Sequence, residues 1–112
     1  MDTTRQQKIA RMLQKELSEI FLGIAHRIPG TMITVTNVRI TPDLSIARVY
    51  LSIFPGEKTD STLEFIKEQT KTIRYELGLK VRHQLRIIPE LSFYIDDSLD
   101  YIDNIDRLLH ND

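Results

Sequence analysis

The chain has 112 residues, of which 41% are hydrophobic and 28% charged, and its formal net charge is −1. A chain of this length and composition is expected to form one domain spanning residues 1–112, which buries about 65% of its unfolded surface. The absence of cysteine excludes disulfides, thiolate metal sites and a cysteine nucleophile. No apolar run approaches the roughly 20 residues of a membrane span and the N-terminus lacks a signal-peptide pattern, so we expect a soluble cytoplasmic protein.

The small net charge conceals an uneven distribution along the chain. Residues 1–90 hold 14 Lys and Arg against 10 Asp and Glu, whereas residues 91–112 hold one Arg against six Asp. A basic body with an acidic end could dock on an anionic polymer through one face. The same charge distribution would also arise if both regions were simply solvent-exposed surface. Charge alone leaves both interpretations open.

A first helix is predicted to begin at Thr3 or Thr4, either of which can cap it, and to run to about Ile24. Its apolar residues recur at steps of three and four, which is typical of an amphipathic helix. A basic row occupies the opposite side and consists of Arg5, Lys8, Arg11 and Lys15. Such a row is either a solvated helix face or a series of phosphate contacts, and the first 15 residues contain a single acid, Asp2.

Two strands are predicted next, at residues 33–40 and 46–54, because both runs are rich in Val, Ile, Thr and Tyr and flank a Pro-Asp turn. Pro42 presets φ for the first central turn position, and Asp43 can fold its carboxylate onto a nearby backbone N–H. One face of the second strand is apolar and must be covered, since a two-stranded hairpin is marginal alone. That face is formed by Ala47, Val49, Leu51 and Ile53.

A polar loop at residues 55–60 leads to a second helical stretch, for which Ser61 or Thr62 is the predicted cap. The helical pattern spans residues 63–85, but polar residues 69–72 interrupt its apolar row and predict a bend between two helices. Gly78 is predicted to lie within the second of them. The basic residues of this region are Lys67, Lys71, Arg74, Lys80, Arg82 and Arg86.

A third strand is predicted where Leu91, Phe93 and Ile95 alternate with polar residues. Because a helical crossover leads to it, it should pair parallel with the second strand, which then becomes central. A last amphipathic helix is predicted from Ser98 to Leu109. The fold class is therefore α+β, with helices covering one face of a three-stranded mixed sheet.

This order of elements, together with three local strings, resembles ribosome-binding factor A, a bacterial assembly factor of the small ribosomal subunit. The first string is residues 34–38 followed by Thr-Pro-Asp-Leu-Ser and residues 46–50, and the second is Ile-Arg-Tyr-Glu-Leu-Gly at 73–78. The third is Leu-Arg-Ile-Ile-Pro-Glu-Leu-Ser-Phe at 85–93, continued by residues 97–99 and 105–109. Each string is weak alone, but their joint order and spacing are specific.

The resemblance implies a type II KH-like fold, α-β-β-α-α-β with a short C-terminal helix. KH domains usually clamp nucleic acid with a Gly-rich loop between paired helices. The family replaces that loop by an Ala-x-Gly helical kink, whereas this chain has Gln69, Thr70 and Lys71 at the corresponding place. The departure leaves the kink geometry open and argues against base recognition through a GXXG clamp.

The resemblance also implies a function. A monomeric assembly factor of this family would bind free or immature 30S ribosomal subunits and 16S ribosomal RNA, assist late 16S maturation and support growth in the cold. It would use no cofactor, metal, membrane or small-molecule substrate. The alternative is a small protein-interaction module of the same fold without direct RNA contact.

The RNA-facing surface is predicted to carry ten basic residues, which position the domain by phosphate contacts rather than by reading sequence. Of these, Arg74 and Arg86 lie within the family-like strings, although Arg86 could instead make a structural contact beside the third strand. The ten are Arg5, Lys8, Arg11, Lys15, Lys67, Lys71, Arg74, Lys80, Arg82 and Arg86.

An enzyme is disfavoured by the scattered positions of the residues that catalysis would need. His26, His83 and His110 form no metal-binding pair, and no Gly-rich phosphate loop or nucleophile elbow occurs. The five aspartates near the C-terminus lack the spacing of an EF-hand and spread over several faces. They are Asp96, Asp97, Asp100, Asp103 and Asp106.

Overall fold

The predicted hairpin forms two strands of the sheet. The computed structural model describes residues 4–96, and in it β1 (Met32–Ile40) and β2 (Ile46–Phe54) pair antiparallel. The third strand, β3 (Glu90–Ile95), pairs parallel with β2, which gives the order β1-β2-β3. The predicted mixed sheet with a central second strand is confirmed. The C-terminal helix predicted from Ser98 lies outside the described residues.

One face of this sheet is covered by α1 (Thr4–His26), α2 (Thr59–Glu68) and α3 (Thr70–Val81). The apolar stripe of α1 is buried in the core, and the ring of Phe21 meets Phe93 of β3 edge-on, with centroids 5.8 Å apart. Two amides fix α1 along β1, since Gln6 Nε2 donates to the carbonyl of Ile40 at 3.0 Å and Gln14 Nε2 to that of Val35 at 3.2 Å.

The hairpin turn has the predicted chemistry. The N–H of Leu44 donates to the carbonyl of Thr41 at 2.8 Å, so Pro42 and Asp43 are the central residues. The carboxylate of Asp43 accepts the N–H of Ser45 at 3.1 Å, as predicted. Leu44 adopts φ 63°, a left-handed conformation that favours Gly or Asn, so its residue type offered no signal of this backbone geometry.

A β-bulge interrupts β1, which the alternation of its residues had not led us to predict. Val35 pairs with Leu51 and Asn37 with Tyr50, so Thr36 is an additional residue without a partner position on β2. Val35 and Val38 are both buried although they stand three positions apart. The bulge therefore reverses which face the rest of β1 presents to the helices.

The interruption predicted at residues 69–72 is confirmed. Gln69 has φ −93° and ψ 9°, and it separates α2 from α3. Thr70 Oγ1 donates to the carbonyl of Lys67 at 2.8 Å and so satisfies one carbonyl at the end of α2. A bend thus forms without the Ala and Gly of the family pattern, and Gly78 lies inside α3 as predicted.

Two predicted boundaries are wrong. A single 3-10 turn at Gly56–Lys58 leads directly into α2, which begins at Thr59 without a side-chain cap, so neither Ser61 nor Thr62 caps it. Thr62 is buried instead. The helical pattern continued to Leu85, but α3 ends at Val81, because Leu85 reaches the core from the turn that follows.

Candidate nucleic-acid interface

The basic row of α1 is exposed along its whole length. Arg5, Lys8, Arg11 and Lys15 project from the side of the helix opposite the buried stripe. Within residues 4–96 none of them forms an ion pair or a side-chain hydrogen bond. Four positive charges on one helix face, without neutralising partners there, form a surface suited to phosphate contacts.

The second basic set lies on both sides of the bend between α2 and α3. Lys67 is in the last turn of α2 and Lys71 in the first turn of α3, and both are exposed. Arg74 differs from them, because its Nε donates to the carbonyl of Pro89 at 3.0 Å and its Nη2 to the carbonyl of Ile88. Its guanidinium therefore holds the segment that enters β3.

Lys80 joins α3 to α1. Its ammonium lies 3.2 Å from the carboxylate of Glu19 and 3.7 Å from that of Glu16. The hydrogen bond to Glu19, supported by the charges of both acids, raises the pKa of Lys80 above its ordinary value. Because two carboxylates already offset its charge, Lys80 is a weaker phosphate ligand than the α1 row.

Arg82 and Arg86 follow α3, in the connection to β3, and both are exposed. Within the described residues Arg86 makes no ion pair or side-chain hydrogen bond. The structural contact considered for Arg86 is made instead by Arg74.

A groove of about 810 Å³ runs along α3 beside this connection. Leu79, Ile88 and Leu91 contribute apolar atoms to its lining, together with the basic side chains of Lys71 and Arg82. Tyr75, which also lines it, is 67% exposed. The groove combines apolar surface with positive charge, so it can accept either a base and its phosphate or an acidic apolar peptide.

The face of the sheet opposite the helices, which we call the open face, carries a further set of cationic and aromatic side chains that was not predicted from the sequence. Arg39 of β1 and Arg48 of β2 are direct cross-strand partners. Two positions further along β2, Tyr50 stacks on Tyr94 of β3, with ring centroids 5.5 Å apart and planes inclined by 27°. The available signal was the change of phase in the alternation of β1 after Thr36.

Residues 4–96 contain neither a cluster of metal-binding side chains nor a helix that could cross a membrane. No group of three or more His, Cys, Asp or Glu side chains there is arranged to hold a metal ion. None of the helices in that part of the chain combines the length and hydropathy that crossing a bilayer requires.

The element order, the mixed sheet and the one-sided helical layer define a small α+β domain of the type II KH-like class. Residues 5–109 match the family model for ribosome-binding factor A. The chain belongs to the ribosome-binding factor A family, as the sequence resemblance predicted.

Similar proteins cover most of the chain. Ribosome-binding factor A of Flavobacterium johnsoniae is 50% identical over 111 residues, which cover 97% of this chain and 85% of that protein. The Chlorobaculum tepidum protein of the same name is 43% identical over 106 residues, covering 94% and 88% of the two chains.

Solved structures show the same fold. The crystal structure of ribosome-binding factor A from Thermus thermophilus superposes with a TM-score of 0.71 at 22% identity, covering 83% of this chain and 98% of that one. A homology model of the Thermus thermophilus factor, fitted into a cryo-EM map of its complex with the 30S subunit, gives a TM-score of 0.62 at 24% identity. That match covers 76% of this chain and 88% of the other.

Proposed function

We propose that this protein is a cytoplasmic assembly factor that binds free or immature 30S ribosomal subunits and assists late maturation of 16S ribosomal RNA, supporting growth in the cold. The observation that carries the proposal is the family match over residues 5–109. The Thermus thermophilus factor fitted into a 30S complex supports the choice of partner. The protein would act as a monomeric single domain and by binding alone, without a cofactor.

The α1 row is the first surface we assign to RNA. Its four side chains are exposed and unpaired within the described residues, and it lies on a helix whose other side is anchored in the core. Lys67, Lys71, Arg82 and Arg86 extend the proposed contact. Arg74 and Lys80 contribute less, because both side chains are engaged within the protein.

Sedimentation over a gradient of free subunits and whole ribosomes tests the proposal. We expect the tagged protein to travel with free small subunits and to be absent from whole ribosomes. Cells that lack the protein should accumulate 16S precursor at low temperature. Equal distribution over both particles, or normal 16S maturation in the cold, would contradict the proposal.

Charge-reversal variants test whether the α1 row belongs to the surface that binds the small subunit. Lys8→Glu combined with Arg11→Glu and Lys15→Glu should abolish association with immature subunits while the circular-dichroism spectrum stays unchanged. A matched pair of single changes consists of Arg11→Glu, within the row, and Arg27→Glu, one residue beyond the end of α1. Both arginines are exposed, and the two changes alter net charge equally. If the two changes weaken association with immature subunits equally, the row is not part of the binding surface.

The groove along α3 supports the competing function of a protein-interaction module, because Leu79 and Ile88 offer apolar surface to a partner. If that module docked on the subunit, Leu79→Asp would weaken capture by free subunits more than Arg11→Glu does. We expect the opposite order.

A further inference from the structure

We propose that the open face of the sheet is a second RNA site, in which Arg39 and Arg48 hold phosphate and Tyr50 and Tyr94 stack on unpaired bases. This inference rests on the proposed function and adds to it a single-stranded RNA ligand on the side opposite the helices. None of these four residues belongs to the basic set predicted from the sequence.

The arginine pair is the first observation. Arg39 and Arg48 face each other across β1 and β2, and both are exposed. Like charges directly opposite on neighbouring strands destabilise a sheet. Within residues 4–96 neither guanidinium has an ion pair or a side-chain hydrogen bond. A phosphate held between them would convert this repulsion into two charge-assisted contacts.

The tyrosine pair is the second observation. Tyr50 and Tyr94 are register partners and their rings stack at 5.5 Å. Tyr94 is 43% exposed, which leaves aromatic surface accessible beyond the stack. Aromatic side chains on an open sheet are stacking platforms for unpaired bases, whereas the bases of a duplex are already stacked on one another.

The two pairs are close enough to act on one strand of RNA. Arg48 and Tyr50 are two positions apart on β2 and lie on the same face of the sheet, so the rows are about 7 Å apart. A base placed on Tyr94 would therefore keep a neighbouring phosphate within reach of Arg48.

The acidic groups on this face lie to either side of the two rows. Glu90 is the partner of Ile46, one row beyond Arg48, and Asp96 follows β3 and accepts the hydroxyl of Thr36 at 2.5 Å. The site therefore presents positive charge and aromatic surface between two carboxylates, which would exclude RNA from the rest of the face and define a short binding site.

The bulge at Thr36 is what builds this site. If β1 kept all its residues but had no bulge, Arg39 would lie on the same face as Ile33 and Val35 and would be directed into the core. With it, Val38 and Ile40 are buried and Arg39 faces outward beside Arg48.

Binding of a fluorescently labelled, unstructured oligouridylate to the full chain tests the inference by anisotropy. Arg39→Gln combined with Arg48→Gln should lower affinity about tenfold and reduce the slope of log affinity against log salt by about one. Tyr94→Ser should lower affinity about fivefold, and Tyr94→Phe should restore it, because Phe retains the stacking surface. Arg27→Gln serves as the matched arginine control and should change neither quantity.

Thermal unfolding of the same variants excludes a trivial loss of fold. Without RNA, Arg39→Gln should unfold at the same temperature as the unsubstituted protein or above it, since it removes a like-charge contact. Unchanged affinity and salt slope in the arginine variant would overturn the inference, as would the absence of oligouridylate binding by the unsubstituted chain. A face covered by protein, or by residues 97–112, would give one of these two results. If oligouridylate binding fails but the unsubstituted protein still co-sediments with small subunits, only this inference is rejected and the proposed function stands. If the unsubstituted protein does not co-sediment with small subunits, the proposed function is rejected.

Discussion

At the scale of single residues, Arg74 shows that charge patterning does not separate contact residues from structural ones. It stands between Lys71 and Lys80 in the basic series, yet its guanidinium donates to the carbonyls of Ile88 and Pro89. Pro89 is buried, and the next residue begins β3. The forked guanidinium satisfies two carbonyls that a lysine could serve only singly.

We therefore expect Arg74→Ala to lower the free energy of unfolding by about 1 kcal/mol, because two backbone carbonyls lose a charged donor. Lys71→Ala, one turn earlier on α3, is the matched control and should have little effect. Urea denaturation of both variants measures the difference. Equal unfolding free energies would show that the Arg74 contacts do not stabilise the entry to β3.

Asp43 gives the hairpin turn a dependence on pH. Its pKa is lowered from the ordinary value of 3.8, first by the hydroxyl of Thr41 and then by the hydroxyl and N–H of Ser45. Since the folded pKa lies below the unfolded one, this carboxylate contributes fully above the unfolded value and its contribution is lost as pH falls through the folded value.

We expect Asp43→Ala to reduce the urea midpoint near neutral pH and to approach the unsubstituted protein as the pH falls below the ordinary carboxyl value of 3.8 and through the lower folded value. Midpoints measured across that range for both proteins provide the test. A difference that stays constant with pH would show that the ionised carboxylate is not what stabilises the turn.

At the scale of elements, β1 is organised around one additional residue. The first half of β1 buries Ile33 and Val35, and the second half buries Val38 and Ile40. Thr36 is the additional residue between the two halves, and it shifts the alternation of buried and exposed positions by one. Thr36 Oγ1 lies 3.2 Å from the carbonyl of Tyr50 and also donates to Asp96, so the bulge contacts β2 and the residue that follows β3.

Removal of Thr36 should leave cooperative folding intact, because Val38 would then stand two positions after Val35 in a regular strand, and Val38 and Ile40 would still face the core. Thr36→Ala keeps the residue count and is expected to cost only about 1 kcal/mol for the lost hydroxyl contacts. Thermal unfolding followed by circular dichroism measures the midpoint and the sharpness of the transition for the deletion variant and for Thr36→Ala. Loss of the cooperative transition in the deletion variant, while Thr36→Ala keeps it, would mean that β1 requires the bulge itself and not only the alternation of its buried residues.

At the scale of the whole molecule, positive charge is displayed on two sides although the net charge is only −1. The α1 row lies on the helical layer, and the Arg39–Arg48 pair lies on the opposite face of the sheet. An RNA partner could therefore contact the protein from both sides of the sheet.

Affinity for isolated small subunits should fall steeply with salt, by close to one unit of log affinity per unit of log salt for each neutralised phosphate. The single change Arg11→Ala should weaken binding and lower that slope by about one, because one phosphate contact is lost. Binding measured between low and moderate salt tests this expectation. A flat response in the unsubstituted protein would instead indicate protein–protein contacts.

Much of the fold was predictable because its determinants are local. Alternation identified β2 and β3, the Pro-Asp pair identified the turn, and the polar stretch around Gln69 identified the bend. The helix boundaries were less predictable, since a 3-10 turn can begin α2 without a cap and Leu85 can enter the core from outside a helix.

The candidate site was predictable only in part. Periodicity was sufficient to place the α1 row on one exposed side, because that pattern depends on the turns of a single helix. The engagement of Arg74 by carbonyls 14 and 15 residues away, and of Lys80 by Glu19, which is 61 residues away, required the packed helices.

The sequence by itself determined the order of the elements and the apolar face of most of them, because hydrophobic periodicity and turn chemistry act over a few residues. It also determined the parallel pairing of β3, because a helical crossover returns the chain in the direction of the strand before it. Only the tertiary structure decided which basic side chains are engaged and that Arg39 lies opposite Arg48. Those outcomes depend on strand register, which the bulge at Thr36 shifts, and on contacts between segments that are distant in the chain.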